Sequence, residues 1–141
     1  MDEGTYDVIV TNPGGDRATL RRGMRIESTL PDCSFLRVYF EFDQASLVTD
    51  ATGALDGLME CYQSTHSRIT VEGHCDERGT VEYNLALGQR RAVTVERYLA
   101  THGVSSSRLE SVSYGEERPV DPGHNDSAWA HNRRVDIYVG N

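Results

Sequence analysis

The sequence predicts an α+β fold, a two-layer sandwich with helices on one face of a mixed four-stranded sheet. Periodicity orders the elements as strand–helix–strand–helix–strand–short helix–strand, βαβαβ(α)β. Each long helix carries one apolar stripe, so it buries one side only. Each strand alternates apolar and polar residues, so only one sheet face needs cover. One-sided helices on a half-buried sheet make two layers.

Residues 1–32 stand apart, as an extension or linker that can pair as a hairpin. Tyr6 to Val10 reads as a short strand and Asn12-Pro13-Gly14-Gly15 as a turn. Leu20 to Ser28 is arginine-rich with weak alternation, and Pro31 then breaks the chain. The domain proper is expected over residues 33–141. Its first strand has Val38, Phe40 and Phe42 alternating with Arg37, Tyr39 and Glu41, and Asp43-Gln44-Ala45-Ser46 closes it. A helix over Thr49 to Gln63 aligns Leu55, Leu58, Met59 and Tyr62. Strand two alternates Ile69, Val71 and Gly73 with Arg68, Thr70 and Glu72. The second long helix spans about Tyr83 to His102, with Leu87, Arg91, Val95, Tyr98 and Leu99 on one face and Gly103 as its stop. Leu109 to Tyr114 is strand three. After a Gly/Pro-rich stretch, Ser127 is expected to cap a short helix through Trp129. Strand four alternates Val135, Ile137 and Val139 with Arg134, Asp136 and Tyr138.

The 141 residues suffice for one core. A net charge of −8 argues against nucleic acid or anionic lipid as the main partner. All 14 cationic side chains are arginine, which removes a catalytic lysine and a P-loop from consideration. No apolar run has the length of a membrane span, and Met1-Asp2-Glu3-Gly4 is acidic where a signal peptide is basic. The chain is therefore expected to be cytosolic or to start after an export signal.

Cys33 precedes the first strand and Cys61 lies near the end of the helix that follows. An antiparallel strand–helix unit brings them together, so either a disulfide, with an oxidising compartment, or two buried thiols is expected. The bridge would add roughly 3–4 kcal/mol by the loop-entropy model.

The segment Val71 to Ala92 carries the chemistry. Gly73 and Gly79 bound a loop whose tip is Asp76, and the loop feeds the second long helix. Arg91 shares the inner face with Leu87 and Val95, whereas Arg90 points elsewhere. Asp76 would suit an ammonium group, and the Arg91 fork grips a carboxylate. Together they fit a zwitterion, or they pair with each other and order the loop. Asn84 caps the helix or holds the loop. Arg78 reads as a solvated loop charge and is carried in the candidate set. His74-Cys75-Asp76 suggests a metal or a nucleophile, but zinc needs three or four ligands and no second Cys/His pair stands at ligand spacing. Alternation also sends His74 and Cys75 to opposite faces. His66, His102, His124 and His131 are expected at the surface, and Glu116 and Glu117 in a turn without evident partners. No catalytic residue, metal or cofactor is expected.

The run Gly-His-Cys-Asp-Glu-Arg-Gly-Thr-x-Glu-Tyr-Asn-x-x-Leu-Gly-x-Arg-Arg-Ala, from Gly73 to Ala92, resembles the signature of OmpA-like peptidoglycan-binding domains. It is most similar to their peptidoglycan-associated lipoprotein (Pal) branch. Val38 to Asp43, Ser113 to Pro119 and Asn132-Arg133-Arg134-Val135 agree with it, so the likeness covers about Val38 to Val139. It implies non-catalytic binding of the peptidoglycan stem peptide, through the free ammonium and carboxylate of meso-diaminopimelate. Asp76 matches the family's acid and Arg91 its arginine. Phe42 and Asp43 line the same site, with Asn84 and Leu87 as neighbours. The resemblance further implies a periplasmic place at the outer membrane of a Gram-negative bacterium, and an anchoring role. TolB and other Tol proteins are implied partners, and a Tol–Pal interaction module is the alternative function. Cys33 follows Leu30-Pro31-Asp32, a poor lipid-attachment motif, so a membrane anchor would lie in a segment that is not here. An amidase or peptidase, resting on His74-Cys75-Asp76 alone, is the third reading.

Overall fold

Apolar residues at every second position draw four strands onto one core. In the computed structural model, which describes residues 30–140, they are β1 (Phe35–Tyr39), β2 (Ile69–His74), β3 (Leu109–Gly115) and β4 (Arg134–Val139). The helices are α1 (Thr49–Gly57), α2 (Met59–Ser64), α3 (Val81–Thr101) and α4 (Asp126–Asn132), with a 3₁₀ turn at Ser106–Arg108. The strand, turn and hairpin expected before Ser28 lie outside the described residues. The unit described begins at Pro31.

The sheet order is β1-β4-β2-β3. Strand β4 is antiparallel to both neighbours, and β2 and β3 are parallel. A parallel pair needs a crossover, which α3 supplies. The predicted mixed sheet with helices on one face is thus the observed α+β architecture. Val38, Ile69, Val71, Val135 and Ile137 meet Leu55, Tyr62, Val95 and Leu99 in the core. Cys33 and Cys61 form a disulfide with their Cα atoms 6.0 Å apart, tying the entry of β1 to α2.

Several boundaries differ from the periodic reading. Strand β1 ends at Tyr39, and Asp43, at φ 58, turns the chain in the loop that follows. Phe42 is therefore a loop residue, not a strand residue. The helix expected over Thr49 to Gln63 breaks at Leu58 (φ −111), directly after the weak helix former Gly57. Helix α3 starts before Tyr83, because Thr80 accepts the Tyr83 amide at 3.1 Å. The cap of α4 is Asn125, which accepts from the Ala128 amide at 2.8 Å; Ser127 lies inside the helix.

Glycine does two different jobs here. Gly79 has φ 103, the left-handed region that its loop requires. Gly73, the glycine at the other end of the loop, serves close approach instead: a Cβ there would stand 1.8 Å from the Gly88 carbonyl oxygen. Helix α3 therefore lies backbone to backbone on the end of β2. This contact sets how far a side chain one turn later on α3 can reach past the strand.

Candidate functional site

That side chain is Arg91, which is wholly buried. Its Nε donates to the Gln44 carbonyl at 2.7 Å, Nη1 to the His74 carbonyl at 2.9 Å and Nη2 to the Glu41 carbonyl at 3.0 Å. One guanidinium thus joins the end of β2, the loop after β1 and the middle of α3. Burial works against its charge and lowers its pKa. A guanidinium has five N–H donors, so one on each terminal nitrogen remains beyond these three bonds.

Asp76 does not pair with Arg91 as the sequence allowed. Its Oδ1 accepts the backbone amide of Arg78 at 2.9 Å and the Arg78 Nε at 3.2 Å, and its Oδ2 accepts Arg78 Nη2 at 2.9 Å. Arg133 Nη1 stands 3.7 Å from Oδ2. Burial opposes ionisation of Asp76, but the Arg78 hydrogen bonds and the two guanidinium charges outweigh it and hold the carboxyl below its usual range. Arg78 is therefore no free solvated charge. Its guanidinium is also stacked between the rings of Phe42, 4.1 Å away, and Trp129, 4.2 Å away. Glu77 holds the Trp129 indole N–H at 2.9 Å.

Asn84 holds the loop and does not cap the helix. Its Nδ2 lies 3.0 Å from the Arg78 carbonyl and 2.7 Å from Glu116 Oε1, which gives Glu116 a partner that its turn position did not suggest. Asp43 accepts a hydrogen bond from the Tyr83 hydroxyl. Asp76, Arg91, Asp43, Phe42, Asn84, Leu87 and Arg78 all line one cavity of about 240 Å³, completed by Cys75, Gly79 and Tyr83. It is a small site, below the usual range for drug-sized ligands, with acids and guanidinium groups around apolar Leu87.

Sequence reasoning missed Arg133, Trp129 and Tyr83 as partners of the site. The Asn132-Arg133-Arg134-Val135 piece of the resemblance was the one signal for Arg133. Trp129 stands in the sequence only as the end of an expected short helix, and Tyr83 lies inside the run Gly73 to Ala92 with no role attached to it.

His74 and Cys75 do diverge. The Cys75 thiol is buried, donates to the Asn84 carbonyl at 3.2 Å, and is pushed up to about 11 by burial, which makes it a poor nucleophile. His74 faces away from the helices, beside Glu72 at 3.5 Å and Asp136 at 3.9 Å, and stacks on Tyr114. Asp136 is already paired with Arg37 at 2.7 Å and Arg134 at 3.2 Å. The local spacing rule could not foresee this cluster, because β4 supplies Asp136 opposite Glu72. The other four histidines are exposed.

The OmpA family model matches residues 39–133. The peptidoglycan-associated lipoprotein of Pseudomonas aeruginosa is 48% identical over 116 residues, which are 79% of this chain and 69% of that protein. The chain belongs to the OmpA family, in its peptidoglycan-associated lipoprotein branch. The Pseudomonas putida protein of the same description is 52% identical over 70% of this chain, but the match spans only 60% of that relative's length. The crystal structure of the peptidoglycan-associated lipoprotein from Burkholderia pseudomallei superposes with a TM-score of 0.71 at 43% identity, covering 73% of this chain and 88% of that one. This OmpA-family chain thus shares its sheet and helices with a solved relative, and its matched segment includes every residue that lines the cavity.

Proposed function

We propose that the chain binds peptidoglycan without catalysis, through the diaminopimelate of the stem peptide, and so ties the outer membrane or an envelope complex to the cell wall from the periplasm. One observation carries the reading: a buried acid from the end of β2 and a buried arginine from α3 line the same small cavity. An α-ammonium and its carboxylate need both signs within a few ångströms. Asp43 and Asp76 supply the acids, and the unused N–H groups of Arg91 supply a fixed anion contact. Its relatives are described as peptidoglycan-associated, which agrees. Two or three charge-assisted hydrogen bonds, each roughly 1.5–3 kcal/mol, place a single stem peptide in the micromolar to millimolar range. The whole wall then holds by many such contacts.

Co-sedimentation with purified diaminopimelate-type sacculi tests this. The wild-type chain is expected to pellet. Asp76→Asn, which keeps the shape of the side chain, is expected to remain in the supernatant. A wild-type chain that stays soluble, or an Asp76→Asn chain that pellets equally, sinks the assignment.

A further inference from the structure

We propose that the outer edge of β1 docks an extended cationic polypeptide segment, which adds to the four-stranded sheet as a further strand. The groove beside this edge shares no lining residue with the cavity of Asp76 and Arg91. Strand β1 ends the sheet order and has β4 on one side only. An antiparallel ladder alternates between pairs that exchange hydrogen bonds and pairs whose backbone groups point away. The Phe40 amide donates to the Arg133 carbonyl at 2.9 Å, and the Val139 amide to the Ser34 carbonyl at 3.0 Å. With Phe35 opposite Tyr138 and Tyr39 opposite Arg134, the even-numbered residues of β1 therefore serve β4. The N–H and C=O groups of Phe35, Arg37 and Tyr39 point outward, without a partner among the described residues.

Natural proteins guard such edges with proline, charge or a covering segment. Strand β1 has no proline, and its one charged side chain, Arg37, is drawn back onto the sheet by Asp136 at 2.7 Å. Beside the edge runs a groove of about 480 Å³, with Val38, Phe40, Val48, Ala51, Ala54 and Ala130 as its apolar lining. An extended segment alternates its side chains, so every second one enters this groove while its backbone pairs with the edge. Charge selects the segment. The cations at the groove are already taken: Arg37 by Asp136, Arg133 by the Phe40 carbonyl at 2.9 Å and His131 by Asp121 at 3.0 Å. Glu41 and Asp50 also line it, are exposed, and have no carboxylate partner among the described residues. The charge left free is negative, on a chain of net charge −8. Alternating apolar and polar residues that end in lysine or arginine complement both the edge and these acids.

Fluorescence anisotropy on the full chain tests this with labelled acetyl-Lys-Val-Thr-Val-Thr-Val-Lys-amide. Two relatives accompany it: one with glutamate for both lysines, and one N-methylated on its three central amides, which removes donors and keeps the side chains. The lysine peptide is expected to bind saturably, and more weakly as salt rises. Each relative is expected to bind at least about tenfold more weakly. Tyr39→Pro removes an outward N–H and no bond to β4, and is expected to weaken the lysine peptide about fivefold. Ala54→Arg fills the groove and adds a like charge, and is expected to cost at least about tenfold. On binding, the amide protons of Arg37 and Tyr39 are expected to exchange more slowly. Melting curves show that a variant is folded, and if Tyr39→Pro is not, Ala54→Arg and the N-methyl peptide still decide. The proposal is overturned if the lysine peptide does not bind, if either relative binds as well, or if folded Ala54→Arg binds like the wild type. It is overturned too if the chain dimerises and Ala54→Arg makes it monomeric, because a second copy then takes the edge.

Discussion

The Arg91 guanidinium donates to the backbone carbonyl of His74 at 2.9 Å, across seventeen residues of sequence. With the bonds to Glu41 and Gln44, this fixes the loop that presents Phe42 and Asp43. Arg91 is therefore a building element of the cavity as well as part of its lining. Replacing it with Met leaves three carbonyls without their donor, and a loss of about 3–5 kcal/mol in urea denaturation is expected. Arg91→Lys is expected to lose nearly as much, because one ammonium cannot span three carbonyls from three segments. A lysine variant within about 0.5 kcal/mol of wild type would remove this role.

The contact of Gly73 with Gly88 makes that reach possible. Gly73→Ala puts a methyl into a backbone carbonyl, which cannot rotate away. A loss of about 2–3 kcal/mol is expected, read as a lower melting temperature. Gly88→Ala meets first the Ser113 hydroxyl, at 2.3 Å, which can rotate aside. It should be the milder change, and equal effects would contradict the close approach described.

His74 should give the domain a distinct acid response. Burial first, then the charges of Arg134, Arg37 and Arg118 against the opposing pull of Asp136, lowers its pKa from 6.5 to about 4. The unfolded chain therefore takes up a proton below pH 6.5 that the folded chain refuses. Stability is full above that value, falls as pH drops towards about 4, and the loss is of order 3 kcal/mol. Asp76 acts in a separate, lower window: its depressed pKa contributes stability above its unfolded value of 3.8, lost as pH falls through the folded one. Denaturation midpoints at pH 7.5, 5.5 and 4.5 for wild type and His74→Gln check this. The variant should show the flatter profile, and parallel profiles would refute the assignment.

Much of the site was legible because its residues are close in sequence or share a periodic face. The phase of α3 alone preferred Arg91 to Arg90, since Leu87, Arg91 and Val95 follow one stripe and Arg90 is exposed. The acid at the loop tip and the glycines that bound the loop were readable in the same way. The reading of Arg78 as a solvated charge failed, because Phe42 and Trp129, the rings that flank it, arrive from distant segments. Glu116 failed for the same reason, through Asn84.

By itself, the sequence determined the order of the elements, the buried face of each and the family signature from Gly73 to Ala92. These depend on side-chain period and turn chemistry, which act over a few residues. Only the tertiary structure decided that Asp76 pairs with Arg78 while Arg91 serves three carbonyls. A buried charge takes whichever partners the packing brings within hydrogen-bond distance, and here those partners include the loop after β1 and helix α4, about fifty residues away on either side.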